Sequence, residues 1–346
     1  MVYKGVCIHN VVELVEKRDG VVPLRIPDSL RRAVNAGVRL MASQGAGVEM
    51  RFNLKSKGAK LVLKSKERGC FLGEIFQGNF LAESFFVSDR DSDVVITLPE
   101  NIEKLKELSR REGMAFDAGL TRIILPYNTT CVIKGIEGDF DLPRKEQMPE
   151  ARYLAYGSSI THGLYAARPT ETYAMRTAQA LGADLINLGF GGSAHCEREM
   201  ADYIAGRDDW DFATLEMGIN MIGDFDVEEF RSRVEYFIPK IAQAHPDKWI
   251  FCIDVFPFYC DLDTEAQKQK MFRDVVKDVV KGIKTERVKH IGGRDLLRDW
   301  AGLCTDVLHP SSLGMDEIAR NLTGVISGYA QQRRKAFFNK GEAIVA

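Results

Sequence analysis

Tyr153-Leu154-Ala155-Tyr156-Gly157-Ser158-Ser159-Ile160-Thr161-His162-Gly163 is the stretch on which the fold turns. Its apolar opening is the pattern of a short strand buried on both faces. A pair of serines follows, flanked by Gly157 and Gly163, so the chain must turn sharply just past the strand and present a hydroxyl there.

Downstream the same rhythm repeats. Leu185-Ile-Asn-Leu, Phe212-Ala-Thr-Leu, Trp249-Ile-Phe-Cys-Ile and Val288-Lys-His-Ile are short apolar runs. Helical patterns separate them, over Thr172 to Leu181, Glu197 to Ala205, Val227 to Ala244 and Glu265 to Ile283, and a last helix begins near Ser312 and reaches about Arg333. Strands alternating with helices predict an α/β domain, a doubly wound parallel sheet whose ligands bind at the carboxyl ends of the strands.

Upstream the period is different. Gly47-Val-Glu-Met-Arg-Phe-Asn-Leu and Lys60-Leu-Val-Leu-Lys alternate apolar and polar side chains, as half-buried strands do. Further short candidates at Phe71 to Phe76, Phe85 to Val87, Val94 to Leu98, Thr121 to Leu125 and Cys131 to Ile136 suggest an antiparallel β-sandwich or jelly roll. Ile102, Leu105 and Leu108 interrupt it at helical spacing, with Gly113 as a stop. The expected division is a sandwich over 1–140, a polar linker over 141–150, an α/β domain over 151–335 and a tail over 336–346.

Composition narrows the function classes. The 346 residues carry a formal net charge of -2, and 45% are hydrophobic, the balance of an ordinary globular protein. Nothing in that charge favours nucleic acid or an anionic membrane. The basic run from Lys55 to Arg68 reads better as the exposed face of an edge strand, where lysine discourages edge pairing. Seven scattered cysteines with no C-x-x-C pair predict neither a disulfide framework nor a zinc site. With no signal-like apolar core near the N-terminus and no run long enough for a membrane span, the expected location is cytoplasmic.

Four predicted strand ends carry polar chemistry. Ser159 ends the first, a nucleophile if a base takes its proton. Gly189-Phe-Gly191-Gly192-Ser193 ends the second, where glycines bring backbone N–H groups close to a ligand. Asn220, in Glu216-Met-Gly218-Ile-Asn220, offers a side-chain amide. Asp306 lies three residues before His309, close enough to orient its ring. A nucleophile, a base with its orienting acid and two kinds of oxyanion donor are the parts of an acyl-transfer site.

In this order the segments resemble the SGNH/GDSL hydrolases. Gly157-Ser158-Ser159-Ile160-Thr161 looks like that family's first block, the Gly192 segment its second, Gly218-Ile219-Asn220 its third and Asp306-x-x-His309 its last. The resemblance covers about residues 151–335. It implies Ser159 as nucleophile, His309 as base, Asp306 as its orienting partner, and an oxyanion hole from the N–H groups of Ser159 and Gly192 with the Asn220 side chain. It implies a serine esterase or acyltransferase acting on short acyl esters, acetylated carbohydrates among them, with no metal or organic cofactor. The partner is then a small-molecule ester, with self-association into a homo-oligomer left open.

Two positions depart from the family pattern: Ser158 stands where its first block has Asp, and Met221 where an Asp often follows the Asn. The sandwich, similar to a domain preceding some bacterial members, could bind saccharide, shape the pocket entrance or mediate oligomers. His162, His195, Met221 and Phe256 fall near the expected site and are candidates for substrate contact; for the two histidines a solvent-facing or hydrogen-bonded structural role is the favoured reading, Met221 makes the pocket more apolar, and core packing explains Phe256 equally well.

Two rival classes are a nicotinamide-dependent enzyme and a non-catalytic binding protein on this fold. Gly189-x-Gly191-x-x-Ala194, with Asp209 and Asp211 about twenty residues on, resembles a dinucleotide fingerprint. It follows the second strand rather than the first and leaves Ser159, Asp306 and His309 unused. A non-catalytic binding protein on this fold is the other rival, with Ser158 in its favour.

Overall fold

The computed structural model describes residues 1–56, 58–263, 265 and 267–341, the last twelve as backbone only. Among the described residues the strands form three sheets.

The parallel sheet holds Arg152–Gly157, Asp184–Gly189, Phe212–Glu216, Trp249–Ile253 and Val288–Ile291. The second of these in sequence lies at one edge, beside the first, and the remaining three follow on the other side. Chain direction across the sheet therefore reverses at Arg152–Gly157, and a flavodoxin-like sheet opens its ligand crevice at that reversal. Ser159 is two residues beyond it. Helices cover both faces: Tyr173–Leu181 and Ser312–Gly341 contact each other, as do Arg198–Ala205, Val227–Ala244 and Lys268–Gly282 in series. Each face seals its own apolar cluster, one around Tyr156, Leu215, Phe230 and Phe237, the other around Tyr153, Phe251, Met315 and Leu322.

The final helix runs on to Gly341, past the point where a tail is expected, and the tail's remaining residues, 342–346, lie outside the described ones.

The N-terminal half is a β-sandwich. One sheet includes Val6–His9, Glu49–Leu54, Thr121–Ile124, Cys70–Gln77 and Phe80–Ser88; the other includes Glu13–Lys17, Gly20–Leu24, Cys131–Glu137, Gly58–Ser65 and Ser92–Thr97. Their inner faces share a core of Ile8, Met50, Leu61, Leu63, Ile96 and Ile133. Gly58–Ser65 is not an edge strand. It pairs on both sides, and its lysines alternate outward on the exposed sheet face, where Lys60 meets Asp93 at 2.8 Å; Lys57 lies outside the described residues.

Two short helices, Asp28–Ala33 and Ala36–Met41, have no counterpart in the periodicity. The segment read as a linker is packed down: Phe140–Asp141 pairs with Glu49–Leu54, and the Gln147 side chain exchanges hydrogen bonds with Asn53.

The sandwich is welded to the parallel sheet by buried charge. Arg51 makes a bidentate pair with Asp184, at 2.8 and 2.7 Å, and donates to Glu49 at 2.8 Å; Arg122 closes the group on Glu49 at 2.9 and 2.6 Å. Two guanidiniums against two carboxylates leave no net buried charge, a condition for such a cluster to be tolerable away from water. Asp184 begins the strand that ends at Gly189, so the weld fixes the strand leading to the glycine loop.

Candidate active site

The first strand ends against a carboxylate. Gly157 is glycine of necessity, because a Cβ there would stand 2.2 Å from Thr161 Oγ1 and 2.4 Å from Glu216 Oε2. The next residue, Ser158, caps the helical turn Ser159–His162, its Oγ accepting the Ile160 N–H at 3.1 Å. Serine does here what an aspartate would do as a cap. The carboxylate of the site comes instead from Glu216, at the end of the third strand, whose Oε2 accepts the Ser158 N–H at 2.6 Å and the Thr161 hydroxyl at 3.1 Å. Burial pushes the Glu216 carboxyl above the usual glutamate range, and its Oε1 has no partner among the described residues.

Ser159 Oγ lies 2.8 Å from His309 Nε2, and His309 Nδ1 lies 2.6 Å from Asp306 Oδ2. The other Asp306 oxygen accepts the backbone N–H groups of Leu308 and His309, at 3.1 and 3.0 Å. Burial works to raise the Asp306 carboxyl, but these bonds from His309 and Leu308 prevail and hold it below its ordinary value. The loop between the two residues takes Val307 through φ 51°, a left-handed conformation costly for a β-branched residue. That turn brings Asp306 back onto His309, and it is braced where Val307 O accepts the Tyr259 N–H at 2.8 Å.

The donors lie on neighbouring loops. As first residue of a helical turn, Ser159 has an N–H without an intrahelical acceptor. Gly192 has φ 66° and open space where a Cβ would be, and a Cβ on Gly191 would stand 3.6 Å from that of Ser159, so the glycine loop runs alongside the serine. Asn220 Oδ1 accepts the Ala194 N–H at 3.2 Å, which anchors the third strand end to that loop. The Asn220 amide nitrogen makes no hydrogen bond among the described residues and remains available as a donor.

The remaining sequence candidates sit elsewhere. His162 is 3% exposed, with one ring nitrogen 2.8 Å from Tyr127 O and the other 3.0 Å from Gly189 O. Burial, and then the neighbouring Arg25, push its pKa down to about 4. It is a neutral joint between sandwich and serine turn, not a group free to meet substrate. Met221 and Phe256 are both buried in the apolar clusters, so neither offers surface to a ligand. His195 is half-buried, against the Phe225 ring at 5.2 Å and 3.8 Å from Glu197. The dinucleotide reading is not matched either: after Ala194 the chain stays in loop until Arg198–Ala205 begins, so no helix N-terminus opens on the glycines.

Some residues of the site have no sequence motif behind them. Arg25, a lone cation in the apolar run from Val21 to Ile26, is fully buried and donates to Gln44 O, Met41 O, Asn187 O and Gly189 O at 3.0, 2.6, 2.9 and 2.9 Å. Burial without a carboxylate partner pushes its pKa down to about 9. It holds the end of the second strand from the sandwich side. Asn35 adds to this, donating to Ser193 O at 3.0 Å, and Gly37 lies so close that a Cβ would strike Ser193 Oγ. The sandwich thus forms the outer wall of the glycine loop. Glu216 is not among the residues expected at the site; the signal that marks it is a charged residue closing an apolar strand at the sheet edge where ligands bind.

Comparison with known proteins follows the same lines. The model of the GDSL-like lipase/acylhydrolase family matches residues 150–327. No curated protein sequence matches. Among solved structures, a salicylyl-acyltransferase from a tetracycline biosynthetic pathway is 18% identical, with a TM-score of 0.78 over 94% of this chain and 95% of that one. A protein from Bacteroides ovatus described as a GDSL-like lipase is 18% identical, with a TM-score of 0.69 over 94% and 98%. A family two carbohydrate esterase from Clostridium thermocellum, solved with cellohexaose, is 16% identical, with a TM-score of 0.60 over 82% and 92%. At these identities the likeness is one of fold, and in the first two it spans both halves of the chain.

Proposed function

The chain belongs to the GDSL-like lipase/acylhydrolase family and is an ester hydrolase, and from that premise we propose that it works through Ser159, His309 and Asp306 on short acyl esters, with acetyl esters of a carbohydrate or similar small molecule as the substrate class. The observation that carries this reading is the unbroken chain from Asp306 through His309 to Ser159, with links of 2.6 and 2.8 Å.

In this mechanism His309 takes the Ser159 proton as Oγ attacks the ester carbonyl, and Asp306 steadies the imidazolium that forms. Negative charge developing on the carbonyl oxygen meets the N–H groups of Ser159 and Gly192 and the amide of Asn220. His309 then passes its proton to the leaving alcohol, and an acyl-enzyme remains on Ser159. Water, activated by His309, releases the acid. An acceptor alcohol reaching the same nitrogen would take the acyl group instead, so transfer is the alternative outcome of one intermediate; the names of the structural relatives, which include an acyltransferase and a carbohydrate esterase, support keeping both. The division into an accessory sandwich over 1–140 and a catalytic unit over 151–335 is part of this reading.

The test is hydrolysis of p-nitrophenyl esters from acetate to octanoate by the wild type beside Ser159→Ala. The reading expects turnover best on acetate and none by the variant. A variant as active as the wild type would reject it, and partition of the acyl group to an added alcohol in place of water would select transfer.

A further inference from the structure

Tyr165 sits in the left-handed region, at φ 69°, a conformation that costs a bulky residue free energy and persists only where neighbours enforce it. The neighbours do. Leu164 N–H donates to Ser159 O at 2.9 Å, Ala166 N–H to Gly163 O at 3.0 Å, the Tyr127 hydroxyl to Ala166 O at 2.8 Å, and Ala167 N–H to Ser312 Oγ at 2.9 Å. The outcome is a tyrosine left 54% exposed, with its ring centroid 5.3 Å from the His309 imidazole. Tyr153, Tyr156 and Tyr173 of the same domain are fully buried, so core packing accounts for them and not for Tyr165.

Which part of an ester would meet this ring follows from the proton path. The carbonyl oxygen must turn to the Gly192 and Asn220 donors. The leaving oxygen must come within hydrogen-bonding reach of His309 Nε2 to receive its proton. The alcohol half therefore lies on the His309 side, where Tyr165 is. Two exposed apolar side chains belong to segments tied to this corner: Leu313, in the first turn of the final helix next to Ser312, and Tyr259, which opens a short 3-10 helix and whose N–H is bound to Val307 O.

Building on the Ser159 esterase reading, we propose that Tyr165 is a substrate-binding residue that selects the alcohol half of the ester, favouring a ring-bearing alcohol whose flat C–H or π face lies on the tyrosine ring. Aromatic rings bind such faces through dispersion and quadrupole contacts, at little entropy cost because the side chain is short of rotors.

The experiment compares wild type, Tyr165→Ala, Tyr165→Asn and Tyr165→Phe on a methyl acetylglucopyranoside, phenyl acetate and ethyl acetate, with kcat and KM read separately. Asparagine is included because it tolerates left-handed backbone better than other non-glycine residues. Loss of the ring should raise KM on the ring esters by roughly three- to tenfold, leave ethyl acetate within about twofold, and be reversed in Tyr165→Phe. An effect on the glucoside alone would assign a sugar alcohol, and on the phenyl ester alone an aryl one. Equal KM changes on all three esters, or a loss confined to kcat, would overturn the proposal and make Tyr165 a support for His309. Ser159→Ala run in parallel separates the two readings: retained turnover defeats the nucleophile assignment and this inference together, whereas a dead Ser159→Ala with an indiscriminate Tyr165→Ala defeats this one alone.

Discussion

The carboxylate of Glu216 accepts the backbone N–H of Ser158 at 2.6 Å, directly beneath the turn that presents Ser159. Where the family's first block has an aspartate, Ser158 Oγ caps the turn and the Glu216 carboxyl accepts the Ser158 N–H and the Thr161 hydroxyl. Glu216→Gln keeps an oxygen for the Ser158 N–H and should fold with a loss of under about 1 kcal/mol. Glu216→Ala leaves that N–H buried without its acceptor, while the Thr161 hydroxyl keeps the Tyr173 hydroxyl at 2.6 Å, and should cost about 1–3 kcal/mol. Chemical denaturation of the two variants checks the ordering; equal stability would show that the carboxylate does not hold the turn.

Asp306 spends one oxygen on backbone N–H groups and the other on the His309 ring. In Asp306→Asn the remaining oxygen keeps the backbone bonds, and the amide nitrogen is forced against Nδ1. The ring must then carry its proton on Nε2, the wrong tautomer for accepting one from Ser159. We expect kcat to fall by about 10²- to 10⁴-fold with the melting temperature nearly unchanged. A variant with wild-type kcat would mean that Asp306 only caps the loop.

Asn220 is anchored by its oxygen to Ala194 and has its amide nitrogen to spare. Asn220→Ala should lower kcat by about 10²- to 10³-fold while KM moves little, the signature of a donor felt mainly in the transition state. A change confined to KM would place Asn220 in ground-state binding instead.

His162 gives a pH dependence with a definite sign. Its pKa falls from 6.5 to about 4 on folding, so the unfolded chain takes the proton more readily and stability drops as the pH is lowered through that interval. The loss should be on the order of 2–3 kcal/mol. The carboxyls of Glu49 and Asp184 are also held below their ordinary values, chiefly against burial by Arg122 and Arg51, and their contribution is lost only at still lower pH. Unfolding free energies between pH 7 and 4 should slope downward in wild type and less steeply in His162→Gln, where His9 and His245, whose pKa values burial also lowers, keep part of the slope. A flat wild-type profile would contradict the neutral buried imidazole.

What was legible in the sequence was what periodicity and strand ends carry. The apolar runs at Tyr153, Leu185, Phe212, Trp249 and Val288 fall in the five strands of the parallel sheet, because strands buried on both faces need that composition. The Asp306, His309 and Ser159 side chains, 150 residues apart at the extremes, are brought within hydrogen-bonding distance because Ser159 follows the carboxyl end of that sheet's first strand and the Asp306–His309 loop lies between the last strand and the final helix. The two helices between Asp28 and Met41 were not legible, being six residues each, too short for a periodic signal. Nor was Arg25, two of whose four carbonyl partners, Asn187 O and Gly189 O, lie more than 160 residues away and leave no pattern in the chain. For His162 the reading as a hydrogen-bonded structural histidine is the one the geometry supports, although its place beside Ser159 in sequence says nothing about the sandwich residue Tyr127 that claims its ring.

The central claim is that Ser159 is an activated nucleophile, and covalent labelling by a fluorophosphonate, read by intact mass and peptide mapping, tests it most directly. The account predicts one adduct per chain, on Ser159, absent from Ser159→Ala and strongly slowed in His309→Ala. An adduct on another residue, or labelling of Ser159→Ala at the wild-type rate, would contradict it.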